Sequence, residues 1–575
     1  MRSWRGETLA GIARMVGLAV GGAVAALFTI GAAFAAADCP PSDAPYPAMY
    51  GDAAMFSRAL AKVDAIEPAN RRLSGVTVPH HLVADHLVAL GLKSASGFAY
   101  KRIVLLSPDH FRRSPKPFAT TARGFETPMG TVETDTAAVA TLLEAGEMVA
   151  DSCLFGREHG VHALLPLIRH FFPDTPVVPV AISIKTGRAD WERMADLLAP
   201  LVDGDTLIVE STDFSHYRPQ HEARLLDQQT LNTIASGSLD ALSLLTQPDH
   251  LDSLGALYIQ MKLQAGRFAA KPLVIANENQ QQYQAAHSDS TTSYQVILFG
   301  RFEAGFRAPT PASVKVYYLA GDTNFGRAMK LALLADGAEE RVAEAVLSLT
   351  GGRPLVVNLE GVILPNVPEA IDDMTLAMPK DLALHWLKKL NVAAVGLANN
   401  HAFDLGDTGY AETKSALAEA DIASFGQGER LALPGLDIVG LSDLDTNGKP
   451  QVDLITEPLL DTLKSAAGDR PVIAFVHWGR EYLAEPSGRE RALADAFRLR
   501  SATLAIGAHP HVASSGVVSH GGGDMAEVYS LGNFLFDQNA ERASGQLVEL
   551  RVFEQGTVFV RTIPLPNLFE IAKGR

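Results

Sequence analysis

Short apolar runs recur along this chain, and the stretches between them carry helical spacing. In the first half, runs at 103–106, 177–180, 207–209 and 294–298 predict strands, while 137–145 and 189–198 predict helices. Strands alternating with helices imply an α/β layered fold. A Pro/Ser/Thr-rich break at 308–313 interrupts the pattern, which sets a linker at 303–313 between two domains, 44–302 and 314–570. Beyond it, runs at 314–319, 354–357, 392–397, 472–476, 503–506 and 528–531 predict six buried strands.

Each of those six runs stops on side chains that can bind metal or move a proton. They deliver Asp322, Glu360, Asn399-Asn400-His401, His477, His509-Pro510-His511 and Asn533. Open α/β sheets place ligands at the carboxyl ends of their strands. Taken alone, Asn399-Asn400-His401 reads as a turn, because Asn tolerates left-handed backbone. Five further strand ends of the same kind shift that reading to a site. The donors are oxygen and imidazole nitrogen without sulfur, a set that suits Mn, Fe or Zn in a two-metal centre. Two metals can clamp a phosphoryl group, and Glu360 is the carboxylate placed to bridge them. In extended backbone His509 and His511 point the same way, so both imidazoles would face one site. The bland alternative is a surface HxH pair that binds metal adventitiously.

Imidazoles also cluster in the first half, at His80-His81, Asp109-His110, Glu158-His159 with His162, and Asp213 with His216. Histidine is the commonest metal ligand and the commonest acid/base group near neutral pH. Any single one of these could equally be a solvated or core histidine, but four clusters in one domain point to a pocket.

At 575 residues the chain exceeds one hydrophobic core, and a formal charge of -16 disfavours a nucleic-acid partner. Arg2, Arg5 and Arg14 precede an apolar stretch at 15–34 and the small residues Ala35-Ala36-Ala37. Residues 1–37 therefore predict a signal peptide or an uncleaved membrane anchor, with the rest of the chain extracytoplasmic, periplasmic or secreted. Membrane contact is expected only through that segment. Asp38 before Cys39 does not fit a lipoprotein signal. The two cysteines, Cys39 and Cys153, could form one disulfide or stay as thiols, and neither sits in a CxxC pattern.

The ordered motifs of the first half, Pro79-His80, Ser107-Pro108-Asp109-His110, Thr127-Pro128-Met129-Gly130, Glu158-His159 and Ser211-Thr212-Asp213-Phe214-Ser215-His216, resemble those of Memo-like proteins, also called AmmeMemoRadiSam system protein B. The resemblance implies a fold similar to extradiol dioxygenases, with His80, His110, His159, Asp213 and His216 around a pocket that could hold a single metal. Two departures stand out. His162 and Leu164 replace the family's usual Glu and Gln, and the cysteine some members carry before the last strand is missing, with Gln284 or His287 nearby instead.

The second half closely resembles the CapA family, linked to poly-γ-glutamate capsule synthesis and sharing the calcineurin-like metallophosphatase fold. The motifs are Gly321-Asp322-Thr323-Asn324-Phe325-Gly326-Arg327, Asn358-Leu359-Glu360-Gly361, Asn399-Asn400-His401-Ala402-Phe403-Asp404, His477-Trp478-Gly479, His509-Pro510-His511 and Leu531-Gly532-Asn533-Phe534. By that resemblance Asp322, Glu360, Asn400, His477, His509 and His511 are metal ligands, His401 is the proton donor and Asp404 orients it. Arg327 and Asn533 are substrate-binding candidates, a guanidinium being suited to phosphate or carboxylate. Ordinary metallophosphatases begin with Asp-x-His and carry Asp at the place of Glu360, whereas Asp322-Thr323-Asn324 offers no histidine.

Together these readings imply an exported, metal-dependent, phosphoesterase-like hydrolase acting on a phosphoester or an anionic envelope polymer, in contact with envelope-assembly proteins. The alternatives are a non-catalytic assembly or ligand-binding protein, and a metal-dependent redox role for the Memo-like half. Fold alone does not choose between them.

Overall fold

The computed structural model describes residues 43–369, 371–372, 374–444, 454–464, 470–520, 523–538 and 543–575. The targeting segment expected at 1–37 and Cys39, one end of the possible disulfide, lie outside the described residues. Among those described, no helix is long and apolar enough to cross a membrane.

In the first half, the described strands are β1 (Gly75–Val78), β2 (Arg102–Pro108), β3 (Phe118–Thr120), β4 (Val149–Asp151), β5 (Val177–Ile182), β6 (Thr206–Ser211), β7 (His216–Arg218), β8 (Lys271–Asn279) and β9 (Thr291–Gly300). They form one mixed sheet in the order β4-β3-β5-β2-β6-β1-β9-β7, with β8 also on β9. Its centre, β5-β2-β6-β1, is parallel. Helices cover such sheets on both faces, which is why these strands read as unbroken apolar runs. Burial agrees: every residue of β5 and β6 is buried.

The second half is a sandwich. One sheet has the order β15-β14-β11-β10-β22-β23, from β10 (Lys315–Thr323), β11 (Leu355–Leu359), β14 (Val392–Gly396), β15 (Ala423–Phe425), β22 (Gly545–Val552) and β23 (Val558–Leu565). A short parallel pair, β12 (Val362–Leu364) with β13 (Ala377–Pro379), lies between β11 and β14 in the chain. The facing sheet runs β16-β17-β18-β19-β21-β20, from β16 (Arg430–Leu433), β17 (Leu436–Ser442), β18 (Val472–His477), β19 (Leu504–Ala508), β20 (Val518–His520) and β21 (Met525–Val528). Side chains alternate across a strand, and β10 shows both faces at work. Tyr317 and Leu319 enter the core between the two sheets with Ile438, Ile473, Phe475 and Ile506. Val316, Tyr318 and Ala320 join the core that continues into the first half.

The parallel strands β10, β11 and β14 of one sheet and β17, β18 and β19 of the other bring their carboxyl ends to one edge. The expected strand at 528–531 is shifted: β21 ends at Val528, and the chain then turns through Gly532 in left-handed backbone, φ +63°. That turn carries Asn533 alongside Asp322 as a parallel bridge, and the Asn533-Phe534 segment is tied by Phe534 N–H to the Asp322 carbonyl at 2.9 Å. Gly321 permits this approach, since a Cβ there would lie 1.9 Å from the Gly532 carbonyl oxygen.

Candidate metal centres

Six strand ends converge on the sandwich edge, and the donors fall into two sets. Asp322, Glu360 and His511 form one; Glu360, His477 and His509 form the other, each with one donor atom per residue within 4.8 Å of the rest. Glu360 belongs to both. All five side chains are buried. Asn400 presents its Oδ1 2.8 Å from His477 Nε2, which puts a neutral oxygen beside the second set.

The surrounding hydrogen bonds fix these donors in place. Asp322 Oδ1 accepts from Asn358 Nδ2 at 2.8 Å, and both its oxygens lie within reach of the His509 backbone N–H, at 3.1 and 3.2 Å. His511 Nδ1 sits 2.7 Å from Asn533 Oδ1 and 3.2 Å from Asp322 Oδ2. Asn399, fully buried, donates to Asn358 Oδ1 and to the Leu359 carbonyl. It is the brace that holds the turn, and its neighbour Asn400 reaches the donors. Outer partners of this kind orient metal ligands.

Backbone geometry overturns one expectation. His509 and His511 are not in extended backbone; both are left-handed, φ +96° and +59°. Their rings stand 6.0 Å apart and serve different donor sets rather than one. Left-handed non-glycine backbone persists only where its surroundings over-determine it.

The residues fit a divalent metal. Glu360 Oε2 and His509 Nδ1 are buried and have no hydrogen-bond partner among the described residues. Such orphans are rare in folded proteins and call for an ion or water. Burial pushes His477 well below the ordinary histidine range and His509 down to about 4, so both imidazoles are neutral, as ligands must be. Burial, reinforced by Asp322, raises Glu360 to about 7. His511 goes the other way: burial opposes its charge, but Asp322 and Glu360 outweigh that and raise it to about 9. A cation between the two carboxylates would take over the role of that proton.

His401 stands at the rim. Its Nδ1 lies 2.8 Å from Asp404 Oδ2 and its Nε2 3.7 Å from Glu360 Oε1. The Leu376 backbone N–H donates to the same Asp404 oxygen at 2.6 Å, pinning the carboxylate under the ring. Arg327 is placed further out. Its guanidinium pairs with Asp537 and lies over Phe536, 5.3 Å from the ring centroid, and Phe536 in turn packs on His511. Asn533 faces His511 directly.

A second cluster occupies the first half. The rings of His80, His110 and His159 meet at centroid separations of 3.9 to 5.2 Å. His80, Asp213 and Asp252 form a further donor set sharing His80. His110 Nδ1 is held 2.6 Å from Glu158 Oε1. Burial alone would lower His110, yet Asp252 and Glu158 raise it to about 10, while burial and the neighbouring His110 push His159 to about 4. His216 stands apart from these sets, its Nδ1 2.5 Å from the Phe214 carbonyl. His162 turns inward to the Phe155 carbonyl at 2.8 Å, and His287 is exposed beside Asp289.

Asp252 is the residue that sequence reasoning missed. Its Oδ2 lies 3.0 Å from His80 Nε2 and 3.4 Å from His110 Nε2. It, rather than Gln284 or His287, supplies the donor opposite the two histidines. An antiparallel bridge between Phe214 and Leu251, and a bond from Asp252 N–H to the Asp213 carbonyl at 3.0 Å, bring it there. In sequence it is a lone Asp before Ser253, the N-cap of helix Leu254–Leu263, and reads as capping chemistry.

Residues 51–298 match the family model described as Memo-like protein, and residues 317–434 with 445–538 match bacterial capsule synthesis protein PGA_cap. The chain is 28% identical over 302 residues to the PGA biosynthesis protein CapA of Bacillus subtilis (strain 168), covering 47% of this chain and 77% of that one. It is 30% identical over 210 residues to the capsule biosynthesis protein CapA of Bacillus anthracis, covering 32% of this chain and 50% of that one. To the MEMO1 family protein MK0963 of Methanopyrus kandleri it is 27% identical over 175 residues, covering 28% of this chain and 60% of that one. The chain thus spans between half and about three quarters of the length of these relatives.

Proposed function

We propose that this chain, which joins a Memo-like domain to a PGA_cap domain, is an exported metal-dependent hydrolase acting on a phosphoester or a related anionic envelope polymer. The observation that carries the reading is the sharing of Glu360 by two buried donor sets, with the His401–Asp404 pair at their rim. Two divalent ions, Mn, Fe or Zn, match a set built from carboxylate, amide oxygen and imidazole. When bound, they supply Lewis-acid polarisation of a phosphoryl oxygen and a more acidic water.

The chain's own residues do the rest. Asp322, Glu360, Asn400, His477, His509 and His511 hold the ions, and the burial of all but Asn400 limits competing water. Asp404 fixes His401 through Nδ1, which leaves Nε2 facing Glu360 to hand a proton to the leaving-group oxygen. Arg327 would meet an anionic substrate by exchanging Asp537 for it, a bidentate match for a guanidinium. The relatives named for PGA and capsule biosynthesis support an anionic polymer of the cell envelope as substrate. The predicted targeting segment supports an extracytoplasmic setting, with envelope-assembly proteins as partners.

The His80–His110–Asp213–Asp252 cluster favours a second, independent reading for the Memo-like half, a single-metal site with a binding or redox role. Metal analysis of the purified chain, paired with hydrolysis of bis(p-nitrophenyl) phosphate under Mn supplementation, tests the first reading. Bound divalent metal and Mn-dependent turnover are expected. A chain with near-zero metal and no turnover would sink it. Retention of all metal after His80→Ala with His110→Ala would dispose of the second.

A further inference from the structure

We infer that the cavity between the two halves is a binding site for a single-chain amphiphile carrying one anionic group. The cavity has a volume of about 910 Å³, within the ~300–1,000 Å³ of small-molecule sites, which favour domain interfaces. Both halves build its walls. Met261, Phe299 and Pro272 come from the first, and Ala345, Leu349 and Ile563 from the second. This wall is mostly apolar, which suits a hydrocarbon body.

Charge complementarity selects the head group. The charged residues on the wall are Lys271, Arg301 and Arg561 against Glu303, three cations to one anion, in a chain whose formal charge is -16. Arg561 reaches the wall from a buried cluster that is itself unbalanced. Glu549 is paired with both Arg551, at 2.7 Å, and Arg561, so two guanidiniums share one carboxylate. The Arg561 bonds use Nε and Nη2, and its guanidinium is braced over Phe302, 5.4 Å from the ring centroid. The buried Glu549 and Arg551 balance each other, so the surplus positive charge falls on Arg561, which is part-exposed at the wall, and an anionic head there would neutralise it. The wall also contains irregular backbone. Gln264 and Ala265 of a π-helical turn, Gln264–Phe268, and Ala269 in left-handed backbone, φ +49°, line the site beside Met261. Single π turns concentrate at functional positions.

Titration of the full chain with 1-anilinonaphthalene-8-sulfonate, an apolar body with one sulfonate, tests the inference. One saturable site is expected, with displacement by dodecanoate. Ala345→Phe, which fills the cavity from helix Ala338–Thr350, should weaken probe binding at least tenfold. Ser348→Trp, exposed on the same helix and cavity wall, serves if Ala345→Phe does not fold, judged by its thermal unfolding midpoint. Arg561→Gln should weaken the sulfonate probe about tenfold yet leave the neutral N-phenyl-1-naphthylamine unchanged. Absence of a saturable site in the wild-type chain, or wild-type affinity in a folded cavity-filling variant, would overturn the proposal. Equal losses for the charged and neutral probes in Arg561→Gln would overturn the anionic head.

Discussion

His509 and His511 hold backbone that costs about 1–3 kcal/mol at each position, and each side chain is directed to a different donor set. Single changes should therefore be separable. His509→Ala and His511→Ala are each expected to release part of the bound divalent metal, and the double variant more than either, measured by elemental analysis of dialysed protein. Identical losses from single and double variants would mean the two histidines share one ion. Asp404 has a different task, holding the His401 ring. Asp404→Asn should leave metal content near wild type and lower turnover of a phosphodiester about 10–100-fold, the usual effect of losing an outer partner. Loss of metal in that variant would place Asp404 in the ligand set instead. At this scale the sequence was readable where motif and chemistry coincide, as at Glu360 and His477. It was silent where tertiary placement decides, as at Asp252, whose neighbours in the chain say only that a helix begins.

At the scale of elements, the parallel strands were legible because burial on both faces leaves long apolar runs. The strand expected at 528–531 instead ends at Val528, because Tyr529, Ser530 and Leu531 stay buried outside it while Gly532 turns the chain out of the sheet. Invisible in any such pattern is how helix Gln220–Ser236 meets the second half. Asp227 on that helix is fully buried and accepts from Ser293 Oγ at 2.5 Å and from Gln555 Nε2 at 2.9 Å; Thr557 Oγ1 donates to its neighbour Asn277 at 2.6 Å. Removing Gln555 leaves Asp227 and Asn277 short of partners. Gln555→Leu is expected to lower unfolding stability by about 1–3 kcal/mol in a urea titration. Burial raises Asp227 to about 6, only partly offset by these bonds. Its unfolded value is about 3.9, so the folded state binds the extra proton in between. The stability it contributes is complete below about pH 4 and is lost as pH rises through about 6. Asp227→Asn, compared with wild type by urea unfolding at pH 4.5 and pH 7.5, should gain relative stability at the higher pH. A constant difference across that window would show that Asp227 does not titrate there.

Over the whole molecule, the sequence break at 308–313 marks the expected boundary between two domains, and residues 43–575 form one compact unit across it. The reason lies in the continuous core. Phe299 and Ile297 of the first half belong to the same buried cluster as Tyr318, Val357 and Phe559 of the second. Polar bonds close the seam: Gln228 Nε2 donates to the Val558 carbonyl at 2.8 Å, the Val558 N–H returns one to Gln228 Oε1 at 2.8 Å, and Asn232 Nδ2 donates to the Gly523 carbonyl at 2.7 Å. Gly523 lies so close to that helix that a Cβ would meet the Gln229 carbonyl at 2.3 Å. Halves that share apolar core and satisfied buried bonds unfold together, because opening the seam exposes both at once. Differential scanning calorimetry should show a single transition for the intact chain. Gly523→Val, which forces the seam apart without touching either candidate metal centre, should lower that transition and broaden it or split it in two. Two separate transitions in the wild-type chain would mean the halves are independent bodies and the seam only a contact.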